Sequence, residues 1–118
     1  MTTQVASEPS DEQILEATRA LKLLADPTRL RIVWALVHGE HSVNDLAEHV
    51  GAQPAAVSQH LTKLRLARLV STRRDGNRIF YAAADHHIAR LAEEAIFHTD
   101  HTTEVATNRA PRHHAASA

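Results

Sequence analysis

The sequence predicts a mainly α-helical domain with one small β-hairpin, in the order α-α-α-α-β-β-α. Three observations lead there. Capping residues or prolines stand just ahead of apolar runs with helical spacing, at Ser10, Asp26-Pro27, Ser42 and Pro54. A single Asp-Gly pair, Asp75-Gly76, lies between two β-prone runs. Aromatic residues are only 3% of a chain that is 43% hydrophobic, so its core must be aliphatic. At 118 residues the chain fits one domain, and so small a core is expected to be completed by dimerisation.

Residues 1–10 are small and polar and are expected to form a flexible N-terminal arm. Ser10 caps a first helix over 11–24, in which Ile14, Ala17, Leu21 and Leu24 recur at helical spacing. Asp26-Pro27 opens a second, driven by Leu30, Ile32, Val33, Leu36 and Val37 and stopped by Gly39. Ser42 and Asp45 have the spacing of a capping box ahead of a short helix that ends at Gly51. Pro54 then starts a longer helix, expected to reach Leu69 with Val57, Leu61, Leu64 and Leu66 available for burial. A short helix, a glycine turn and a longer helix with polar residues early in it make a helix-turn-helix pattern.

The runs 69–73 and 78–82 read as strands joined by Arg74-Asp75-Gly76-Asn77. Asp85 caps a last helix expected over 86–101, and 102–118 is expected to be a flexible, histidine-containing tail. A helix-turn-helix followed by a two-stranded wing describes a winged helix-turn-helix over 11–101.

Net charge is −1, but its distribution is uneven. Between His60 and Phe80 stand six cations, Lys63, Arg65, Arg68, Arg73, Arg74 and Arg78, against Asp75 alone; the first fifteen residues carry only acids. A local basic patch is what phosphate contact requires. The residues expected to touch double-stranded operator DNA are Gln53, Ala56, Ser58, Gln59 and His60 for base edges, and Lys63, Arg65, Arg73, Arg74 and Arg78 for phosphates, with Arg29 and Arg31 as further candidates. Singly, each is also what an ordinary soluble surface carries; the combination of turn, polar helix and basic wing points to DNA.

Six of the ten histidines lie in the last third of the chain. His98 and His101 are three apart and share a helix face, while Asp85 and His87 stand at the start of the same helix. His87 and His98 are eleven positions apart, about 16 Å along the axis, yet eleven steps return to nearly the same face. One ion cannot join both ends of one helix, but two copies packed antiparallel across a homodimer would form two symmetric sites. Four such ligands suit Zn(II) as a closed tetrahedron; Ni(II) or Co(II) commonly take more, and His113 and His114, Asp100 or Glu104 can supply them. Helix capping alone also accounts for Asp85, and the helix dipole for a histidine near a C-terminus. His38, His41 and His49 are read as solvated, and His86 as pointing away from His87.

Cysteine is absent, which removes disulfides and thiolate metal sites. Neither a membrane-length apolar run nor a secretory signal is visible, so a cytoplasmic location is expected. With no Gly-rich phosphate loop and no nucleophile–base pair at telling spacing, an enzyme is not expected.

The segments Leu24–Ile32, Ser42–Ala47 and Val57-Ser58-Gln59-His60-Leu61 resemble the ArsR/SmtB family of metal-sensing winged-helix repressors, over about residues 12–101. The wing and the His-His tail look most like its actinobacterial nickel/cobalt sensors, the NmtR and KmtR type. The resemblance implies a homodimer that binds an operator palindrome when metal-free and releases it when metal binds. It matches Asp85, His87, His98 and His101 to the family's site on the last helix. Two departures keep the ligand subset open. No histidine stands near Met1, and in the KmtR-like pattern His98's position is not histidine while an acid at Asp100's position takes part. Two other functions fit the composition: a metal-independent or partner-dependent winged-helix regulator, and a histidine-rich metal-storage protein.

Overall fold

Each helix begins where a side chain or a proline relieves the unpaired N–H groups of its first turn. In the computed structural model, which describes residues 7–109 with side chains through Thr99, the order is α1 (Asp11–Leu24), α2 (Pro27–Val37), α3 (Val43–Val50), α4 (Pro54–Leu66), β1 (Val70–Asp75), β2 (Arg78–Ala83) and α5 (His86–Arg109). Ser10 and Gln13 form a reciprocal capping box at α1: Gln13 N donates to Ser10 Oγ (3.0 Å) and Ser10 N to Gln13 Oε1 (2.9 Å). Asp26 accepts from Arg29 N at 3.0 Å just ahead of Pro27. Ser42 accepts from Asp45 N at 3.2 Å, the serine half of the expected box. Asp85 Oδ1 accepts from Ile88 N at 3.0 Å and so caps α5.

Two helix ends differ from expectation. The fourth helix stops at Leu66, three residues early. Arg68 takes a left-handed φ of 64°, its N–H donates to Arg65 O (2.9 Å), and Leu69 N donates to Leu64 O (2.8 Å). That is a Schellman ending with arginine where glycine is usual, so the stop signal was missing from the sequence pattern. By contrast, α5 runs eight residues past 101, to Arg109. Polar composition suggested an end there, but neither glycine nor proline interrupts the chain until Pro111.

The core joins Leu24, Ile32, Val33, Leu36, Leu46, Val57, Leu61, Leu64, Leu69, Val70 and Ala92. It is centred on the helix-turn-helix: α2 packs on α3 and α3 on α4, while α1 and α5 lie against α2. Leu66, expected to be available for burial, is 74% exposed. Two steps of 100° beyond Leu64 carry it to the far side of α4. Ile14 and Leu21 of α1 are each 53% exposed and Phe97 of α5 is 54% exposed, so both helices present apolar surface away from their own core.

The strands pair antiparallel from Val70↔Ala83 to Asp75↔Arg78. Only Gly76 and Asn77 link them, not the four residues expected. Gly76 has a φ of 66° and Asn77 a negative one, the pattern of a type II′ turn. A bridge between His41 and Tyr81 ties the residue before the α3 cap to the wing through both backbone groups of each.

Candidate functional site

Burial sets the phase of α4. Val57, Leu61 and Leu64 face the core, leaving Gln53, Ala55, Ala56, Ser58, Gln59, Thr62 and Lys63 exposed. Ser58 leans toward the wing and lines one groove with Ser42, Asn44, Asn77 and Arg78. Sequence reasoning passed over Ser42, Asn44 and Asn77 because a cap and a turn already explained them. Arg65 lines a second hollow with Thr72, Arg73 and Arg74, so most of the expected phosphate contacts border one end of α4.

The wing's cations are not equally available. Arg73 donates to Glu40 from Nε (3.1 and 3.0 Å) and Nη2 (2.7 Å). Glu40's carboxyl is held below its ordinary range, chiefly by that hydrogen bond, and the Arg73 guanidinium is shifted up by the same contact. Arg73 and Arg78 both lie 5.0 Å from the Phe80 ring centroid, as their shared strand face dictates.

Arg29 and His60 occupy an unexpected arrangement. Arg29, proposed from sequence as a further DNA contact, is half-buried; its Nε donates to Leu23 O (2.6 Å) and its Nη1 lies 3.1 Å from His60 Nδ1. His60 is thereby held at the edge of α4 nearest α2. Asp26, beside them, has its carboxyl pKa lowered, first by the N–H of Arg29 that it caps and then by the Arg29 guanidinium. Arg31 is exposed. All three histidines expected to be merely solvated have ring neighbours: His38 packs edge-on against Trp34 (4.8 Å), and His41 against His49 (4.9 Å).

Asp85, His87 and His98 are all exposed, with the first two at one end of α5 and His98 well along it. His101 continues the same helix, but its side chain, like those of Asp100 and Glu104, lies outside the described residues, as do His113 and His114 altogether. Ile88, Ala92 and Ile96 turn toward the domain, whereas Leu91 and His98 fall on another face and His87 borders a hollow with Glu12, Gln13 and Glu16 of α1. Among the described residues no three His, Asp or Glu side chains of one chain converge to hold a metal ion. The donor set, imidazole and carboxylate, fits Zn(II), Ni(II) and Co(II) in kind, and Asp85 spends only Oδ1 on its cap. The rings of His86 and His87 lie 4.3 Å apart. Within the chain α5 packs on α2 and β2.

A short helix, a turn, an exposed polar helix and a basic hairpin define a winged helix-turn-helix DNA-binding regulator. Residues 26–72 match the model of the bacterial regulatory protein arsR family. The chain is 46% identical over 107 residues to the HTH-type transcriptional regulator KmtR of Mycobacterium tuberculosis, covering 91% of this chain and 79% of the relative. With the regulator NmtR of the same species it shares 42% identity over 80% of each. A homodimeric winged helix-turn-helix DNA-binding domain from Mycobacterium bovis superposes with a TM-score of 0.73 at 30% identity, covering 92% of this chain and 99% of that one. The chain belongs to the arsR family of bacterial transcriptional regulators and is a regulator, not an enzyme. Among the described residues no helix is long and apolar enough to cross a membrane.

Proposed function

We propose that the protein is a cytoplasmic, metal-responsive repressor. A homodimer holds an operator palindrome when metal-free and lets go when Ni(II) or Co(II), with Zn(II) as the alternative, binds between two α5 helices. The observation that carries this reading is the layout of α5. Asp85 and His87 stand at one end and His98 and His101 about 16 Å along the same helix, with His87 and His98 exposed. Neither end offers more than part of a site, and an antiparallel partner helix supplies the rest. Exposed Ile14, Leu15 and Leu21 on α1 and Leu91 and Phe97 on α5 favour such a partner. His113 and His114 are proposed as extra ligands for a six-coordinate ion.

Within each protomer, α4 would read bases through Gln53, Ala56, Ser58, Gln59 and His60, while Lys63, Arg74 and Arg78 meet phosphates. Arg73 joins them only by sharing its guanidinium with Glu40. Two recognition helices must enter grooves about 34 Å apart, so a small rotation at the dimer seam ends the fit. The required coupling, about 1–3 kcal/mol, is ordinary for linked sites.

The test pairs metal binding with DNA release on a duplex that the wild-type protein selects from a randomised pool. H98Q is expected to keep that affinity while losing nickel-induced release. Release that persists in H98Q contradicts the assignment. A protein that binds nickel but selects no duplex is a storage protein instead.

A further inference from the structure

We infer that Arg29 is a positioning residue that locks His60 as its Nε2–H tautomer, so that α4 offers DNA a hydrogen-bond donor at this position. The inference rests on reading α4 as the recognition helix, and it changes what His60 contributes there.

A guanidinium carries N–H donors and no acceptor. At 3.1 Å from Arg29 Nη1, His60 Nδ1 must therefore accept, which requires a lone pair on that nitrogen. A neutral imidazole with Nδ1 unprotonated carries its proton on Nε2. The hydrogen bond thus selects one of three forms: the Nδ1–H tautomer and the imidazolium both place a proton where Arg29 already points one. Arg29 is itself held at two other points. Its Nε donates to Leu23 O in the last turn of α1 (2.6 Å), and its backbone N donates to the Asp26 cap (3.0 Å). Both side chains are half-buried, so an unpaired group there is costly.

The consequence is chemical. A fixed Nε2–H matches guanine N7 and O6, adenine N7, thymine O4 or a phosphate oxygen. It does not match cytosine, whose major-groove hydrogen-bonding group is itself a donor. An untethered histidine would present donor or acceptor by turns. Arg29 also joins α4 to the joint between α1 and α2, so the donor's position follows the end of α1.

Two-bond 1H–15N correlation spectra of the full-length 15N-labelled protein read the tautomer directly. Wild type is expected to show His60 as Nε2–H alone, and R29M a mixture. On a duplex selected by wild type from a randomised pool, R29M and H60N are each expected to lose about tenfold in affinity. H60N keeps an acceptor for Arg29 but loses the outward donor, so its loss reports the donor alone. A wild-type spectrum showing Nδ1–H or mixed tautomers overturns the lock, and needs no variant to fold. An R29M spectrum identical to wild type also overturns it. Wild-type affinity in H60N with the lock intact overturns the donor role. Failure of wild type to select any duplex strikes the recognition-helix reading itself.

Discussion

The helix-turn-helix half and the α1–α5 half of this chain spend their apolar residues differently. Along α2, α3 and α4, Ile32, Val33, Leu46, Val57, Leu61 and Leu64 are all but removed from solvent within one chain. On α1 and α5, Ile14, Leu15, Leu21, Leu91 and Phe97 remain exposed, beside the histidines and the aspartate proposed as metal ligands. One half is finished by its own sequence, and the other is written for a second copy. The helix-turn-helix core is closed within one chain, while the apolar faces of α1 and α5 stay open.

Substitutions separate the halves. L61A should cost the most, about 2–5 kcal/mol of unfolding free energy in urea titration, because it opens a cavity in a closed core. Paired changes on α1, L21S with I14S, are expected to leave each protomer helical by circular dichroism yet weaken self-association at least about tenfold in sedimentation, since polar groups replace area of about 25 cal/mol/Å² value. Equal unfolding by both variants would erase the distinction.

A smaller effect belongs to the Asp26 cap. Its folded carboxyl pKa lies below the ordinary value of 3.8, mainly through the N–H of Arg29. Its stabilisation is therefore present above that value and is lost as pH falls through the depressed one. D26N should lower the neutral-pH melting temperature and flatten this acid limb; a wild-type acid limb retained in D26N would refute the assignment. Least of all is expected from E40Q. The Glu40–Arg73 pair is exposed, so melting should not move measurably, while DNA affinity should rise and grow more salt-sensitive as Arg73 is freed. Unchanged salt dependence would mean that Arg73 never meets phosphate.

Much of this was legible from the chain because its punctuation is local. Ser10, Asp26-Pro27, Ser42 and Gly51 act within a few residues of themselves, and each marks a boundary where it stands. What stayed hidden depended on contacts. Arg68 ends α4 in a conformation that its side chain does not advertise. Arg29 looks like a free cation beside a proline until Leu23 and His60 are brought to it by the packing of α1, α2 and α4. The placement of Asp85, His87 and His98 on one helix was readable from spacing alone, but their convergence is not a property of one chain.

The most direct test of that idea is a mixed dimer. One protomer carries D85A with H87A, its partner carries H98Q with H101Q, and bound nickel is counted by equilibrium dialysis against the two parent homodimers. If each site takes Asp85 and His87 from one protomer and His98 and His101 from the other, both homodimers bind none, while the mixed dimer regains one ion per dimer. A mixed dimer as empty as its parents, or a parent homodimer that still binds tightly, would contradict the account.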